Sequence, residues 1–358
     1  MSLYWNTRTK HISPYVPGEQ PKDKKFIKLN TNENPYPPSP LVIKAIKDAS
    51  DDNLRLYPDP ECSKLREVAA SRCGVKPEQV FAGNGSDEIL AFAFGAFFEK
   101  TILFPEITYS FYPVYADLWD IPYSMIPLRG DFTINIKDFR IPSDGVVLSN
   151  PNAPTGIALA LDDILSLAEF TGRLNKVLIV DEAYIAFGAQ SAVNHIDKFP
   201  NMLITRTLSK SASLAGLRAG YAIGSAGLIE GLRRIRDSFN SYTLDRLALA
   251  GAEAAVKDEA YYNDVNSRVI AARDRVSKSL SLMGFQVLPS SANFILIRFP
   301  GLSGGEFFLK LREKGILVRH FNKDKIADFL RVSIGLDEEM DIFLSVCKNI
   351  LGENNENH

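Results

Sequence analysis

Val177-Leu178-Ile179-Val180-Asp181-Glu182-Ala183-Tyr184, read with Thr207-Leu208-Ser209-Lys210 and Ala215-Gly216-Leu217-Arg218-Ala219-Gly220, decides how this chain folds. Four apolar residues that end in an acid form a buried strand that emerges at Asp181. Open sheets of such strands bind ligands at their carboxyl ends. The segment around Lys210 puts a lysine in a polar turn after a strand, with an arginine shortly behind it. A carboxylate, a lysine and an arginine in that order suit pyridoxal 5'-phosphate (PLP). The amine of Lys210 can condense with its aldehyde. Asp181 can keep the ring nitrogen protonated, so that the ring accepts electrons. Arg218 presents a planar fork to a phosphate.

Outward from this stretch, strands and helices alternate between about residues 40 and 250. Strands are expected at Gln79–Ala82, Thr101–Phe104, Gly145–Ser149, Val177–Val180, Met202–Thr205 and Ala219–Ile223. Helices are expected at Leu41–Ala49, Cys62–Arg72, Asp87–Phe98, Ser110–Leu118 and Leu161–Thr171. The alternation indicates an α/β fold, a mostly parallel sheet covered by helices on both faces. After Leu244 a helical region runs to about Met283. Strands at Phe285–Leu288, Phe294–Phe299 and Phe329–Ser333, with helices near 304–314 and 337–350, then suggest a smaller α+β domain. Pro14, Pro17, Pro21, Pro35, Pro37 and Pro38 argue for an extended arm over residues 1–38 rather than a helix. The expected division is thus an arm (1–38) that packs on the small domain or a partner subunit, a large domain (39–250), a small domain (251–352) and a frayed polar tail (353–358).

At 358 residues the chain exceeds one compact core, which agrees with two domains. A net charge of -2 gives no sign of nucleic-acid or anionic-membrane binding. The run Arg233-Arg234-Ile235-Arg236 reads as one solvated helix face. Three cysteines without a CxxC pair, and four scattered histidines, give no metal spacing; reduced thiols in a cytoplasmic protein are expected. The first residues lack a secretory apolar region, and no apolar run reaches the ~20 residues of a membrane helix.

Further candidates follow from the turns. Gly83-Asn84-Gly85-Ser86-Asp87-Glu88 lies between a strand and a helix, where free backbone amides suit an anion. Glu88 stands where a dinucleotide fingerprint needs its third glycine, so that reading is excluded. Gly85, Ser86 and Asp87, with Ser209 and Arg218, are the expected phosphate set. Tyr109 can stack on a pyridine face. Tyr184, and Asn152 in Asn150-Pro151-Asn152-Ala153-Pro154-Thr155-Gly156, can reach a ring oxygen. Arg331 lies inside an apolar strand, which is costly unless it meets an anion, either a substrate's or that of an internal ion pair. Arg319 is a second candidate.

Together these residues resemble the fold type I PLP aminotransferases, and most closely the histidinol-phosphate aminotransferase group. Tyr15-Val16-Pro17-Gly18, Leu29-Asn30-Thr31-Asn32-Glu33-Asn34-Pro35, Tyr57-Pro58-Asp59, Val318-Arg319-His320-Phe321 and Leu330-Arg331-Val332-Ser333-Ile334-Gly335 extend the likeness over nearly the whole chain. The resemblance implies a seven-stranded sheet and a homodimer in which Tyr57 reaches the partner's cofactor phosphate. It places Tyr15, Asn152, Arg319 and Arg331 at the substrate. It implies ping-pong transamination of histidinol phosphate with 2-oxoglutarate, in histidine biosynthesis, with Lys210 as acid–base catalyst. Aromatic amino acid transamination and phosphothreonine decarboxylation are the alternatives on the same scaffold. A PLP-binding regulatory domain is the non-enzymatic one. Ala153 departs from the family pattern, which more often has a second Asn there.

Overall fold

The computed structural model describes residues 2–21 and 26–355. A short strand, β1 (Ile27–Lys28), precedes the main sheet. That sheet contains β2 (Val80–Gly83), β3 (Ile102–Pro105), β4 (Tyr123–Ile126), β5 (Gly145–Ser149), β6 (Val177–Asp181), β7 (Met202–Thr207) and β8 (Gly220–Ile223). Its order is β2-β8-β7-β6-β5-β3-β4. Only β8 runs antiparallel to its neighbours β2 and β7; the other pairs are parallel.

The apolar runs become central strands because both faces of the sheet are covered. Leu178 and Val180 join the apolar cluster on one face, and Ile179 joins the cluster on the other. Successive side chains point to opposite faces, so a continuous apolar run is what a doubly covered strand requires. The register also builds the site: Ser149, Asp181 and Thr205 are neighbours across β5, β6 and β7.

Strand β4 has no counterpart among the sequence expectations. It is an edge strand between Pro122 and Pro127, with Ser124 and Met125 exposed, so it lacks an apolar run. The arm is not wholly extended: Thr7–His11 is a short helix, capped where Asn6 Oδ1 accepts from Thr9 N at 2.8 Å. From Ile12 to Pro21 it has no regular secondary structure.

Residues 40–262 pack largely on the main sheet. Helix Arg246–Lys257 spans the expected boundary at 250 and buries Ala248, Ala252, Ala255 and Val256 in the main-sheet cluster. The change-over comes inside helix Glu259–Leu282, where Tyr262 joins that cluster and Val269 joins the next. The second unit holds an antiparallel sheet of β9 (Gln286–Val287), β10 (Phe294–Arg298), β12 (Arg319–His320) and β13 (Leu330–Ser333), in the order β12-β13-β10-β9. Between them β11 (Ile316–Leu317) pairs in parallel with β1, which ties the arm to this unit. The last helix, Asp337–Asn355, carries the expected tail on through Asn355; residues 356–358 lie outside the described residues.

The arginine run lies on helix Ala226–Phe239, and its face is not fully solvated. Arg236 is buried, pairs with Glu61 and Asp237, and lays its guanidinium over the Phe81 ring at 5.7 Å.

Candidate active site

The carboxyl ends of β5, β6 and β7, the start of helix Gly85–Phe97, the arm and the β12–β13 pair enclose one cleft. Asp181 ends β6 at its floor and is 3% exposed. Its Oδ1 accepts from Thr205 Oγ1 and from Ala183 N, both at 3.2 Å. Its Oδ2 accepts from the Tyr112 hydroxyl at 3.1 Å. Burial pushes the Asp181 carboxyl up to about 6, against the pull of these donors.

Lys210 sits in the single turn Leu208–Ser211 that follows β7. The turn is set by Thr207 Oγ1, which accepts from Ser209 N at 3.1 Å. Lys210 Nζ donates to the Thr31 carbonyl at 3.0 Å, and Asn34 Nδ2 donates to the Lys210 carbonyl at 3.0 Å. Burial, reinforced by the Arg331 charge, lowers the Lys210 ammonium to about 8.

Helix Gly85–Phe97 opens on Asn84, whose side chain makes no cap. Its first turn therefore faces the cleft with amide donors and the positive end of the helix dipole. Ser86, Ser209 and Arg218 surround that turn. Arg218 Nη2 donates to Asp87 Oδ2 at 2.8 Å, and Nη1 lies 3.5 Å from Ser209 Oγ. Gly85 has φ +77, and a Cβ there would sit 2.9 Å from Arg218 Nη2. A Cβ on Gly220 would sit 2.8 Å from Ser86 N, so glycine lets β8 pass close under the helix start. The Tyr109 hydroxyl donates to Asp87 Oδ1 at 2.8 Å, which fixes its ring at the same end.

The arm and small sheet supply further groups. Tyr15 stacks on Phe111 with ring centroids 4.2 Å apart. Arg319 and Arg331 are register partners on β12 and β13. Arg319 donates to the Val16 and Pro17 carbonyls at 3.2 and 3.4 Å. Arg331 Nη2 donates to the Asn30 carbonyl at 3.0 Å, while its buried Nε has no partner. Both guanidiniums lie over the Phe321 ring, at 5.5 and 5.4 Å. Tyr184 is buried and accepts from Asn32 Nδ2 at 3.0 Å.

The family model for aminotransferase class I and II matches residues 24–346. A histidinol-phosphate aminotransferase of Clostridium botulinum (strain Okra / Type B1) is 53% identical over 355 residues, 99% of this chain and 100% of that one. The chain belongs to the class I and II aminotransferases. A second histidinol-phosphate aminotransferase, from Clostridium acetobutylicum, is also 53% identical, over 98% of this chain and 100% of that one. The solved histidinol-phosphate aminotransferase of Sinorhizobium meliloti, in complex with pyridoxal-5'-phosphate, has the same fold. Its TM-score is 0.87 at 22% identity, over 98% of this chain and 99% of that one.

In this aminotransferase, eleven of the residues singled out from the sequence line the one cleft: Tyr15, Ser86, Asp87, Tyr109, Asp181, Tyr184, Ser209, Lys210, Arg218, Arg319 and Arg331. Gly85 borders it through Arg218. Asn152 does not enter it. Its Nδ2 donates to the Ile107 carbonyl at 2.9 Å and to Thr155 Oγ1 at 3.2 Å, which ties its loop to the one after β3, while its Oδ1 is buried without a partner. The side chain lines a separate cavity with Arg129 and Phe132, and Ala153 faces the cleft instead. Tyr57 also stands outside this subunit's cleft, 79% exposed and stacked on Tyr242 at 4.5 Å.

Tyr112, Thr205 and Asn32 reach the site although the sequence reading gave them no role. Thr205 becomes visible only through the β6–β7 register. For Tyr112 the available signal was a phenol inside an apolar helix, since a buried Tyr hydroxyl needs a partner.

Proposed function

We propose that this aminotransferase uses PLP to move the amino group of histidinol phosphate to 2-oxoglutarate and back, in a ping-pong cycle that serves histidine biosynthesis. The residues present fit that cofactor. Asp181 is a buried carboxylate that pairs with no cation among the described residues, and a protonated ring nitrogen would complete it. The uncapped helix start with Ser86, Ser209 and Arg218 would hold a phosphate. Tyr109 would flank the ring, and Tyr184 would meet its oxygen. When bound, PLP supplies an aldehyde for the amine and a ring that draws electrons from the carbon undergoing proton loss.

The chain's own part is proton transfer and anion binding. The Lys210 ammonium titrates near 8, so a useful share is free amine at neutral pH. That amine can take the proton from the substrate carbon and return it elsewhere. Arg331, with Arg319 and Tyr15, would bind the substrate's phosphate, and glutamate's carboxylates in the other half-reaction.

The observation that carries the reading is the register pairing of Arg319 with Arg331 in the cleft that holds Lys210. Like charges side by side on adjacent strands are unfavourable unless an anion joins them. The names of relatives at 53% identity over the whole chain favour a phosphorylated imidazole substrate over an aromatic amino acid or phosphothreonine.

A homodimer in the cytoplasm completes the proposal. Leu54, Leu56, Tyr57, Phe239 and Tyr242 are exposed apolar residues, with Tyr57 and Tyr242 stacked together; a second copy covering them would let Tyr57 reach the partner's phosphate. The three buried, unpaired thiols agree with a reducing compartment.

The test is a half-reaction. The PLP form is mixed separately with histidinol phosphate, phenylalanine and O-phosphothreonine while the cofactor spectrum and the products are followed. Fast amino transfer from histidinol phosphate, with phenylalanine much slower, is expected. Preference for phenylalanine, or carbon dioxide from phosphothreonine, would overturn the substrate assignment. Lys210→Ala should abolish turnover.

A further inference from the structure

We propose that Tyr112 and Thr205 are positioning residues that keep the Asp181 carboxylate charged and aimed into the cleft, with no cation among the described residues to assist them. The proposal rests on the PLP reading: the ring nitrogen then becomes the first counter-charge that Asp181 meets.

The geometry around Asp181 is closed on every side but the cleft. Thr205 is fully buried on β7, held opposite Asp181 by the strand register. Tyr112 is fully buried on helix Phe111–Trp119 and reaches Oδ2 from the other side, with Ser149 of β5 beside its hydroxyl. Among the described residues, the titratable groups facing this carboxylate are Tyr112, Tyr115, Tyr184 and Asp87. All are neutral phenols or a like charge, so none stabilises the anion as a cation would.

A buried carboxylate without donors becomes neutral. A neutral Asp181 has no charge with which to hold a protonated ring nitrogen. Two hydroxyls and one backbone N–H therefore decide whether the site is charged at physiological pH. They do so from behind the cleft, which neither Tyr112 nor Thr205 lines. Removing one donor to a carboxylate raises its titration midpoint by about one pH unit. From a starting point near 6, that change leaves about half of Asp181 protonated at pH 7.

The test uses cofactor-free protein and 4'-deoxypyridoxine 5'-phosphate, which carries the ring nitrogen and phosphate but no aldehyde. Lys210 condensation is thereby removed from the measurement. Affinity is titrated by fluorescence from pH 5 to 9 for the unsubstituted protein, Tyr112→Phe and Thr205→Val. The probe's own phosphate titrates in the same range, but identically for all three proteins, and Asp181→Asn gives its baseline. In the unsubstituted protein, affinity should fall on the acid side as Asp181 takes up a proton. In Tyr112→Phe that acid limb should move up by about one pH unit, with binding about five-fold weaker near pH 6, about two-fold weaker near pH 7 and little changed at pH 9. Thr205→Val should move it the same way, so the proposal does not depend on one variant's folding. Weakening by the same factor at every pH, with the limb unmoved, would show a packing role alone and overturn the proposal. Absence of probe binding to the unsubstituted protein at any pH would remove the PLP reading itself, and the proposal with it.

Discussion

The Arg218 guanidinium holds a carboxylate where the proposed site needs a phosphate: Nη2 lies 2.8 Å from Oδ2 of Asp87. The same carboxylate accepts from Tyr109, so one acid orients both the Arg218 fork and the Tyr109 ring. Cofactor binding would give Arg218 a second anion while Asp87 keeps its geometry. Arg218→Ala should weaken PLP binding by roughly 30- to 150-fold, the loss of a charged hydrogen-bonded contact worth about 2–3 kcal/mol. Arg218→Lys should recover only part of this, because an ammonium lacks the planar fork. Equilibrium titration of cofactor-free protein checks both; unchanged affinity in Arg218→Ala would refute the phosphate assignment.

Lys210 should react as an amine at a lower pH than any surface lysine. Burial and the Arg331 charge bring its midpoint to about 8. Trinitrobenzenesulfonate labelling of cofactor-free protein, read at Lys210 by mass spectrometry, should therefore rise with a midpoint near pH 8. Bulk lysines should follow near 10.4. PLP should protect Lys210. A midpoint equal to that of the surface lysines would remove its role as base at neutral pH.

Asp181 should make the cofactor-free protein less stable as pH rises. Its folded midpoint, about 6, lies above the ordinary value of 3.8, so between the two the folded chain holds the proton that the unfolded chain has lost. Folding thus loses free energy as pH climbs through this window, and the penalty is complete above about 6. It amounts to about 2–3 kcal/mol. Asp181→Asn should be the more stable protein in the cofactor-free form at pH 7.5, with the gap closing below pH 4, although its activity falls steeply. Thermal melts across pH test this, and a gap that does not vary with pH would contradict it.

The main sheet was legible because its central strands are unbroken apolar runs, as at Val177–Val180, and a doubly covered parallel strand requires just that. The edge strand Tyr123–Ile126 was not legible, because half of it faces solvent and prolines flank it. The site separates along the same line. Lys210, Asp181 and Arg218 sit beside strand ends and glycines, which mark their places locally. Tyr112 and Thr205 act through contacts that depend on register and helix placement, and no local pattern carries these. Asn152 illustrates the converse. The loop motif located the right segment, but which of two adjacent residues faced the cleft depended on where the Ile107 carbonyl lay.

Arg331 should control substrate affinity and, through charge, the amine of Lys210. Its Nε is buried without a partner, while Nη2 is held by the Asn30 carbonyl, so the guanidinium is fixed in place with donor capacity to spare. An incoming phosphate would satisfy that donor and relieve the pairing with Arg319 across the strands. Arg331→Ala should then raise KM for histidinol phosphate by about 30-fold or more, while PLP affinity stays within a few-fold. Because Arg331 also lowers the Lys210 midpoint, the same variant should move the labelling midpoint of Lys210 upward. A structural role alone would lower stability and move neither quantity selectively. Steady-state kinetics and Lys210 labelling on one preparation separate the two: an unchanged KM would remove Arg331 from the substrate site, and an unmoved midpoint would remove it from the control of Lys210.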